Sequence, residues 1–285
     1  MSIKTILVPV DFSSGSNNAL RYALQFAALT KSKVVVFHSN YLPTLFPSAE
    51  LKKIYEQSEG RKQMMLEYVV DKLCKKYKLK KPDNIGYMVM RETNVVDNIL
   101  SSAETCKAGL IVMGTHGATG FKKILFGSNT AGVVSKSSIP VLAIPQRHKF
   151  KKIESIVYAS DLKNMGHELK ALLPIAEPFD ATIEILYLDY WDKGIDDKQQ
   201  MEIDKALKRN SYKKIELVHK KVSIHKTMID YLNRYSQKSH ASILVMFPET
   251  QNFFEKLFFS SVTKQLSFNL KKPLLSIKKE KVVAS

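Results

Sequence analysis

Two cysteines in 285 residues, Cys74 and Cys106, are too few and too far apart for a disulfide framework. Neither belongs to a CxxC pair or has a histidine at ligand spacing, which argues against a structural zinc site as well. Both read as packing residues in a reducing compartment. Long apolar runs are missing too: nothing approaches the roughly 18 residues needed to cross a membrane. The short run Ile6 to Val10 is ended at once by Asp11, unlike a secretory signal. The expectation is a soluble, cytoplasmic protein. Acidic residues are scarce, 27 against 44 Lys and Arg, for a net charge of +17. Such a balance draws polyanions, whether nucleotide, nucleic acid or anionic lipid. The excess lies in short lysine clusters such as Lys75 to Lys81, which more often solvate a surface than line a groove, so nucleic acid is the minority reading. Trp191 is the single tryptophan and reads as packing. A GxSxG elbow, an HExxH pair, kinase motifs and a Walker Gly-Lys-Ser/Thr ending are all absent, leaving no positive sign of an acyl-transfer, metalloprotease or kinase site.

What is present is an alternation of short β-prone runs and helical patterns. Ile6–Val10, Lys33–Ser39, Ile85–Met90, Leu110–Met113 and Val141–Ile144 read as strands. Between them lie a helix carrying Ala19, Tyr22, Ala23, Phe26 and Ala27 behind capping serines Ser13 and Ser14, and a long amphipathic segment with Ile54, Met64, Met65, Tyr68, Val69 and Leu73. Further helices run over Val95–Cys106 and Ser128–Ser135. Met64 and Met65 are core candidates. Alternation of this kind means an α/β fold with a parallel sheet covered on both faces. A basic, aperiodic stretch over 147–153 reads as a linker, and then the pattern restarts. Ile156 to Leu162 matches Ile6 to Phe12 at an offset of 150. Val245-Met246, Phe258 to Ser261 and Lys272 to Leu275 match Val112-Met113, Leu125 to Ser128 and Ile139 to Leu142 at an offset of 133. The offset falls by 17 because the middle of the second copy is shorter. The chain is therefore read as two tandem Rossmann-like domains, 1–146 and 154–285, each with an open five-stranded parallel sheet flanked by helices.

The segment Met113 to Ser128 leaves a buried strand, passes four glycines (Gly114, Gly117, Gly120, Gly127) and enters a helix. Glycine permits close backbone approach, and a helix start adds free N–H groups and a positive dipole end, so the segment suits an anion such as phosphate. Asp11 and Gly114 fall at the carboxyl ends of the first and fourth strands, where open α/β sheets bind ligands. Asp11 could instead cap the first helix, but Ser13 or Ser14 is better placed. Ser128 could cap its helix, face a phosphate, or do both. His116 stands alone in the loop, His38 reads as a packed, hydrogen-bonded residue, and His219 and His225 show no carboxylate or cysteine pattern nearby.

The spacing Gly114-x2-Gly117-x9-Gly127-Ser128 resembles the signature of the ATP-binding branch of the universal stress protein family. Val8 to Ser13 followed by Ala19 to Ala23, and Ser138 to Leu142, are similar to that family's first strand and helix and its closing strand. The resemblance covers nearly all of 1–146 and implies an adenine nucleotide alpha hydrolase-like fold and an ATP-binding, stress-linked regulatory function. It implies that Asp11 and Val10 lie by the ribose and adenine, that backbone at Ser39 borders the adenine, and that Met113, Gly114, Gly117, Gly127, Ser128 and Asn129 hold the phosphates. The ligand it implies is ATP, with AMP and ADP open and with magnesium or manganese as an optional companion ion. It further implies a pseudo-dimer of the two domains through Val141–Ile144 and Leu274–Ile277. Homodimerisation and a regulatory protein partner stay open. In the second copy Gly114, Gly117, Gly120 and Gly127 become Phe247, Thr250, Phe253 and Ser260, and Glu249 and Glu255 add negative charge. That copy is not expected to hold a nucleotide, and its surviving Asp161 reads as structural. A slow ATPase or phosphotransfer enzyme is the second reading, for which no base or catalytic metal site is evident, and a basic nucleic-acid-binding protein is the third.

Overall fold

A computed structural model describes residues 3–40, 48–91, 94–115, 127–222, 228–248 and 272–279. Its fold falls into two compact units, Ile3–Phe150 and Lys151–Ser285. In the first, the elements are β1 (Thr5–Pro9), α1 (Ser14–Thr30), β2 (Lys33–Ser39), α2 (Ser48–Tyr77), β3 (Ile85–Met90), α3 (Val95–Thr105), β4 (Leu110–Gly114), α4 (Ser128–Lys136) and β5 (Val141–Ile144). The strands pair in parallel in the order β3-β2-β1-β4-β5. Strands such as β4 and β5 are apolar throughout because helices cover both faces of the sheet, which removes any reason for polar residues to alternate.

The second unit runs β6 (Ser155–Ala159), α5 (Met165–Ala176), β7 (Thr182–Asp189), α6 (Asp197–Arg209), β8 (Ile215–Lys221), α7 (Met228–Lys238), β9 (Ile243–Met246) and β10 (Leu274–Ser276). Its parallel order is β10-β9-β6-β7-β8, the same winding as in the first unit. The duplication extends to single backbone angles. Phe12 (φ 63°) and Leu162 (φ 64°) turn left-handed after the first strand of each unit. Lys31 and Asp180 (57° and 54°) do so after the first helix, and Lys107 and His240 (50° and 54°) before the fourth strand. A side chain with a Cβ disfavours that region, so its recurrence at three matched pairs of residues reports the same chain path twice. The loss of 17 residues between the copies has a location: α2 has 30 residues and its counterpart α6 has 13.

The five strands of the first unit lie where the alternation puts them, to within a residue. The face of α2 does not. Leu66, Val70 and Cys74, one helical stripe at i, i+4 and i+8, are buried, whereas Met64 and Met65, expected in the core, are 70% and 44% exposed. From Met64 to Val70 only Glu67 is not apolar or aromatic, so periodicity there names no face, and packing against the sheet selects one. Trp191 is likewise not a packing residue, being 73% exposed.

Candidate functional site

In the first unit the chain leaves β1 toward β2 and β3 on one side, then returns to place β4 on the other, so the switch point of the sheet lies between β1 and β4. Above it opens a cleft of about 290 Å³. Val10, Asp11, Ser39, Met113, Gly114, Gly127, Ser128 and Asn129 all line it. Of the nine candidate residues these are eight; Gly117, like His116 and Gly120, lies outside the described residues. The sequence did not point to Thr130, Val95 and Ile99, which also line the cleft. The i, i+4 spacing of Val95 and Ile99 marks one face of α3, but nothing in it says that this face meets a ligand rather than the core.

Asp11 is exposed at the end of β1 and accepts from the Ser13 N–H at 3.0 Å. Ser13, not Asp11, is the cap of α1, accepting from the Ser16 N–H at 3.2 Å. Asp11 therefore has a local duty, holding the left-handed turn at Phe12, while its carboxylate borders the cleft. His38 is half-buried as expected. Its Nδ1 lies 2.7 Å from the Val10 carbonyl, which can only accept, so the ring nitrogen there carries the proton. Burial pushes its pKa down, against the hydrogen bond to Val10, with Lys62 lowering it further and Asp11 raising it.

Gly114 is a glycine for a reason that spacing does not reveal. A Cβ at this position would lie 2.7 Å from both the carbonyl carbon and the oxygen of Gly15 and 3.1 Å from the Ser16 nitrogen. The first turn of α1 thus rests on the end of β4 at a distance only glycine allows. The carbonyl of Gly114 accepts from Thr130 Oγ1 at 2.8 Å, and the Gly127 N–H donates to the Thr115 carbonyl at 2.6 Å. Thr115 and Gly127, the residues flanking 116–126, are in this way bonded to each other. Ser128 does not cap α4: it is the first helical residue, and Gly127 occupies the cap position with no side-chain hydrogen bond to the helix. The positive end of α4 and its first N–H groups therefore face the cleft without a capping side chain from the cap residue, an arrangement that suits an anion.

The matching place in the second unit is built differently. Phe247, at the position of Gly114, is half-buried with its ring edge-on to Tyr158 at 5.7 Å. Lys279 Nζ lies 3.4 Å from both carboxylate oxygens of Asp161 and 3.5 Å from Glu168 Oε1, and Ser160 Oγ donates to Glu168 Oε2 at 2.9 Å. Asp161 also accepts from the Lys163 N–H at 3.1 Å, the same turn that Asp11 makes. Burial pushes the Glu168 carboxyl up, while the Ser160 hydroxyl and the Lys279 ammonium act the other way and Asp161 adds to the rise. A cavity of about 400 Å³ in this unit shares Glu168 and Lys279 with the ion cluster and is walled by Phe247 and Ile277.

The sequence shows no carboxylate or cysteine pattern near His219. The fold provides a carboxylate, for β7 and β8 pair so that His219 Nε2 stands 3.1 Å from Asp189 Oδ2, thirty residues away in sequence. Asp189 is buried and also accepts from the N–H groups of Trp191, Lys193 and Gly194 at 3.2, 3.2 and 2.9 Å. Desolvation raises its pKa, but the bonds from Gly194, His219, Lys193 and Trp191 outweigh it and hold the carboxyl at about 2. A folded-state pKa below the unfolded value of about 3.9 contributes stability above that pH and loses it as pH falls toward 2. Asp189→Asn should therefore flatten the decline in stability between about pH 4 and pH 2, measured by urea unfolding at a series of pH values. An unchanged acid limb would contradict this account.

The fold and the cleft define a tandem Rossmann-like α/β protein with an open, anion-suited switch-point cleft in its first unit. The universal stress protein family model matches residues 2–145. Two universal stress proteins of Methanocaldococcus jannaschii are each 30% identical to the chain, one over 158 residues (51% of this chain, 96% of the relative) and one over 152 (51% and 84%). A solved universal stress protein from Archaeoglobus fulgidus has the same fold over 98% of both chains, with a TM-score of 0.66 at 19% identity. The chain belongs to the universal stress protein family.

Proposed function

We propose that the protein is an adenine-nucleotide-binding regulatory protein that holds one nucleotide per chain in the first unit and none at the matching place in the second. One observation carries the reading: the end of β1, the end of β2, Gly114 and the start of α4, whose cap residue Gly127 has no side chain to offer it, meet in a single cleft. Asp11 and Val10 are assigned to the ribose and adenine, backbone at Ser39 to the adenine edge, and Met113, Gly114, Gly127, Ser128 and Asn129 to the phosphates. Gly117 joins the phosphate set by family resemblance. The ligand is ATP in this reading, with ADP and AMP as its alternatives. The second unit is closed to it because Phe247 fills the space beside Tyr158 and Lys279 already neutralises Asp161.

Binding rather than turnover follows from the groups at hand. Asp11 is the single carboxylate lining the cleft among the described residues, and it belongs to the β1 end. No cluster of three or more His, Cys, Asp and Glu able to hold a metal occurs among the described residues, so magnesium or manganese would enter with the phosphates. A positioned base or metal is what hydrolysis at ordinary enzyme rates requires. Native mass spectrometry and calorimetry on the pure chain should give one nucleotide per chain, with phosphate release slower than about one per second. Two equal sites would sink the stoichiometry, and faster release lost in Gly127→Val would sink the binding-only reading.

A further inference from the structure

α3 contributes three neighbouring residues to this region. Val95 and Ile99 line the cleft. Asn98, beside Ile99, is 0% exposed. Its Nδ2 donates to Ser39 Oγ at 2.8 Å, and its Oδ1 is buried with no partner among the described residues. An amide can be turned either way. An oxygen lacking a donor is tolerated better in protein interiors than an N–H lacking an acceptor, and this is the orientation adopted. A leucine would avoid the unpaired oxygen altogether. What the amide supplies and leucine could not is a fixed donor to Ser39.

A serine hydroxyl has one proton and two lone pairs. With a lone pair of Ser39 Oγ occupied by Asn98, and no other hydrogen bond to that oxygen among the described residues, the hydroxyl is left to donate. Ser39 is the last residue of β2. It overhangs β1, whose pairing with β2 ends at Pro9 opposite Phe37, and it lines the cleft beside the apolar Val95 and Ile99. Those neighbours suit the face of a base better than a phosphate. We infer that Ser39 Oγ is a side-chain donor that reads a ring nitrogen of the bound purine, with Asn98 as its positioning residue. This rests on the nucleotide reading above and extends it from a backbone edge at Ser39 to a contact that sets base preference.

A ring nitrogen accepts a hydrogen bond and the C–H of a deaza base does not, so the contact can be isolated. The probes are ADP and its 1-deaza, 3-deaza and 7-deaza forms, with dissociation constants measured by calorimetry on the full chain. The wild type should bind one of the three deaza forms about five- to tenfold more weakly than ADP, as expected for one hydrogen bond. Ser39→Ala should bind ADP more weakly by a similar factor and no longer distinguish that analogue. Asn98→Leu, which keeps the hydroxyl but frees its rotation, should reduce the discrimination. A purely structural role for either residue would weaken all four ligands alike. Identical responses of the wild type and Ser39→Ala to every analogue, with ADP still bound, would overturn the inference alone. No binding of ADP by the wild type would instead overturn the nucleotide reading and this contact with it.

Discussion

Gly114→Ala should destabilise the first unit by about 1 to 3 kcal/mol, although it adds one methyl group to a solvent-bordering cleft. The added Cβ would sit 2.7 Å from the carbonyl carbon and oxygen of Gly15 and 3.1 Å from the nitrogen of Ser16. Every one of those atoms is backbone in the first turn of α1, so no flexible side-chain end can swing aside. Either α1 lifts from β4 or β4 shifts in the sheet, and both undo the packing of buried residues such as Ala19, Leu20 and Met113. Gly127 offers the contrast. Its φ of −60° and ψ of 145° are open to any residue, so Gly127→Val should cost no more than about 1 kcal/mol, the disadvantage of valine at a helix cap, and abolish nucleotide binding by crowding the start of α4. Urea unfolding of both variants, followed by calorimetry with ADP, separates a glycine required by packing from one required by a ligand. Wild-type stability in Gly114→Ala would refute the packing argument, and wild-type affinity in Gly127→Val would refute the phosphate assignment.

Lys279→Met should cost the second unit about 3 to 5 kcal/mol, because it strands a buried carboxylate. The side chains of Glu168 and Lys279 are 4% and 12% exposed, and Lys279 is the cation that both Glu168 and Asp161 face. Methionine preserves the length of the apolar stem and removes only the charge. The penalty has a pH signature. Burial already lifts the Glu168 carboxyl, and loss of the lysine lifts it further. A group whose folded pKa is raised contributes its stability below its unfolded value, near 4.3, and loses it as pH rises through the folded value. The variant should thus lie closer to the wild type at pH 4 than at pH 7. Adding Glu168→Gln to Lys279→Met should recover most of the loss, since a neutral amide can still pair with Ser160 Oγ, so the two changes are strongly non-additive. If the double variant is as unstable as the single one, the deficit is one of packing and not of charge.

The glycine spacing, the restart of the strand pattern and the aspartate closing each first strand were enough to point to the cleft and to the duplication. These are local chemistry: β-prone runs bounded by turn residues, and glycines where a backbone must be approached closely. The cleft gathers the eight described candidates from three strand ends and one helix start. Where apolar residues surround a helix the pattern carries no direction, so Leu66, Val70 and Cys74 rather than Met64 and Met65 face the sheet. Partnerships across strands are equally silent. Nothing near His219 in the chain announces Asp189, and nothing near Asn98 announces Ser39, because register and helix placement bring them together.

By itself the sequence determined the α/β class, the two copies, and the loss of the loop glycines from the second, all of which rest on residue type at short range. Only the tertiary structure decided what those residues touch: that Gly114 is required by the first turn of α1, that Gly127 and not Ser128 stands at the cap of α4, and that Lys279 neutralises Asp161 and Glu168 in the second unit. Each of these depends on distances between segments far apart in the chain, and such distances are set when the sheet and its helices pack, after every local preference has been satisfied.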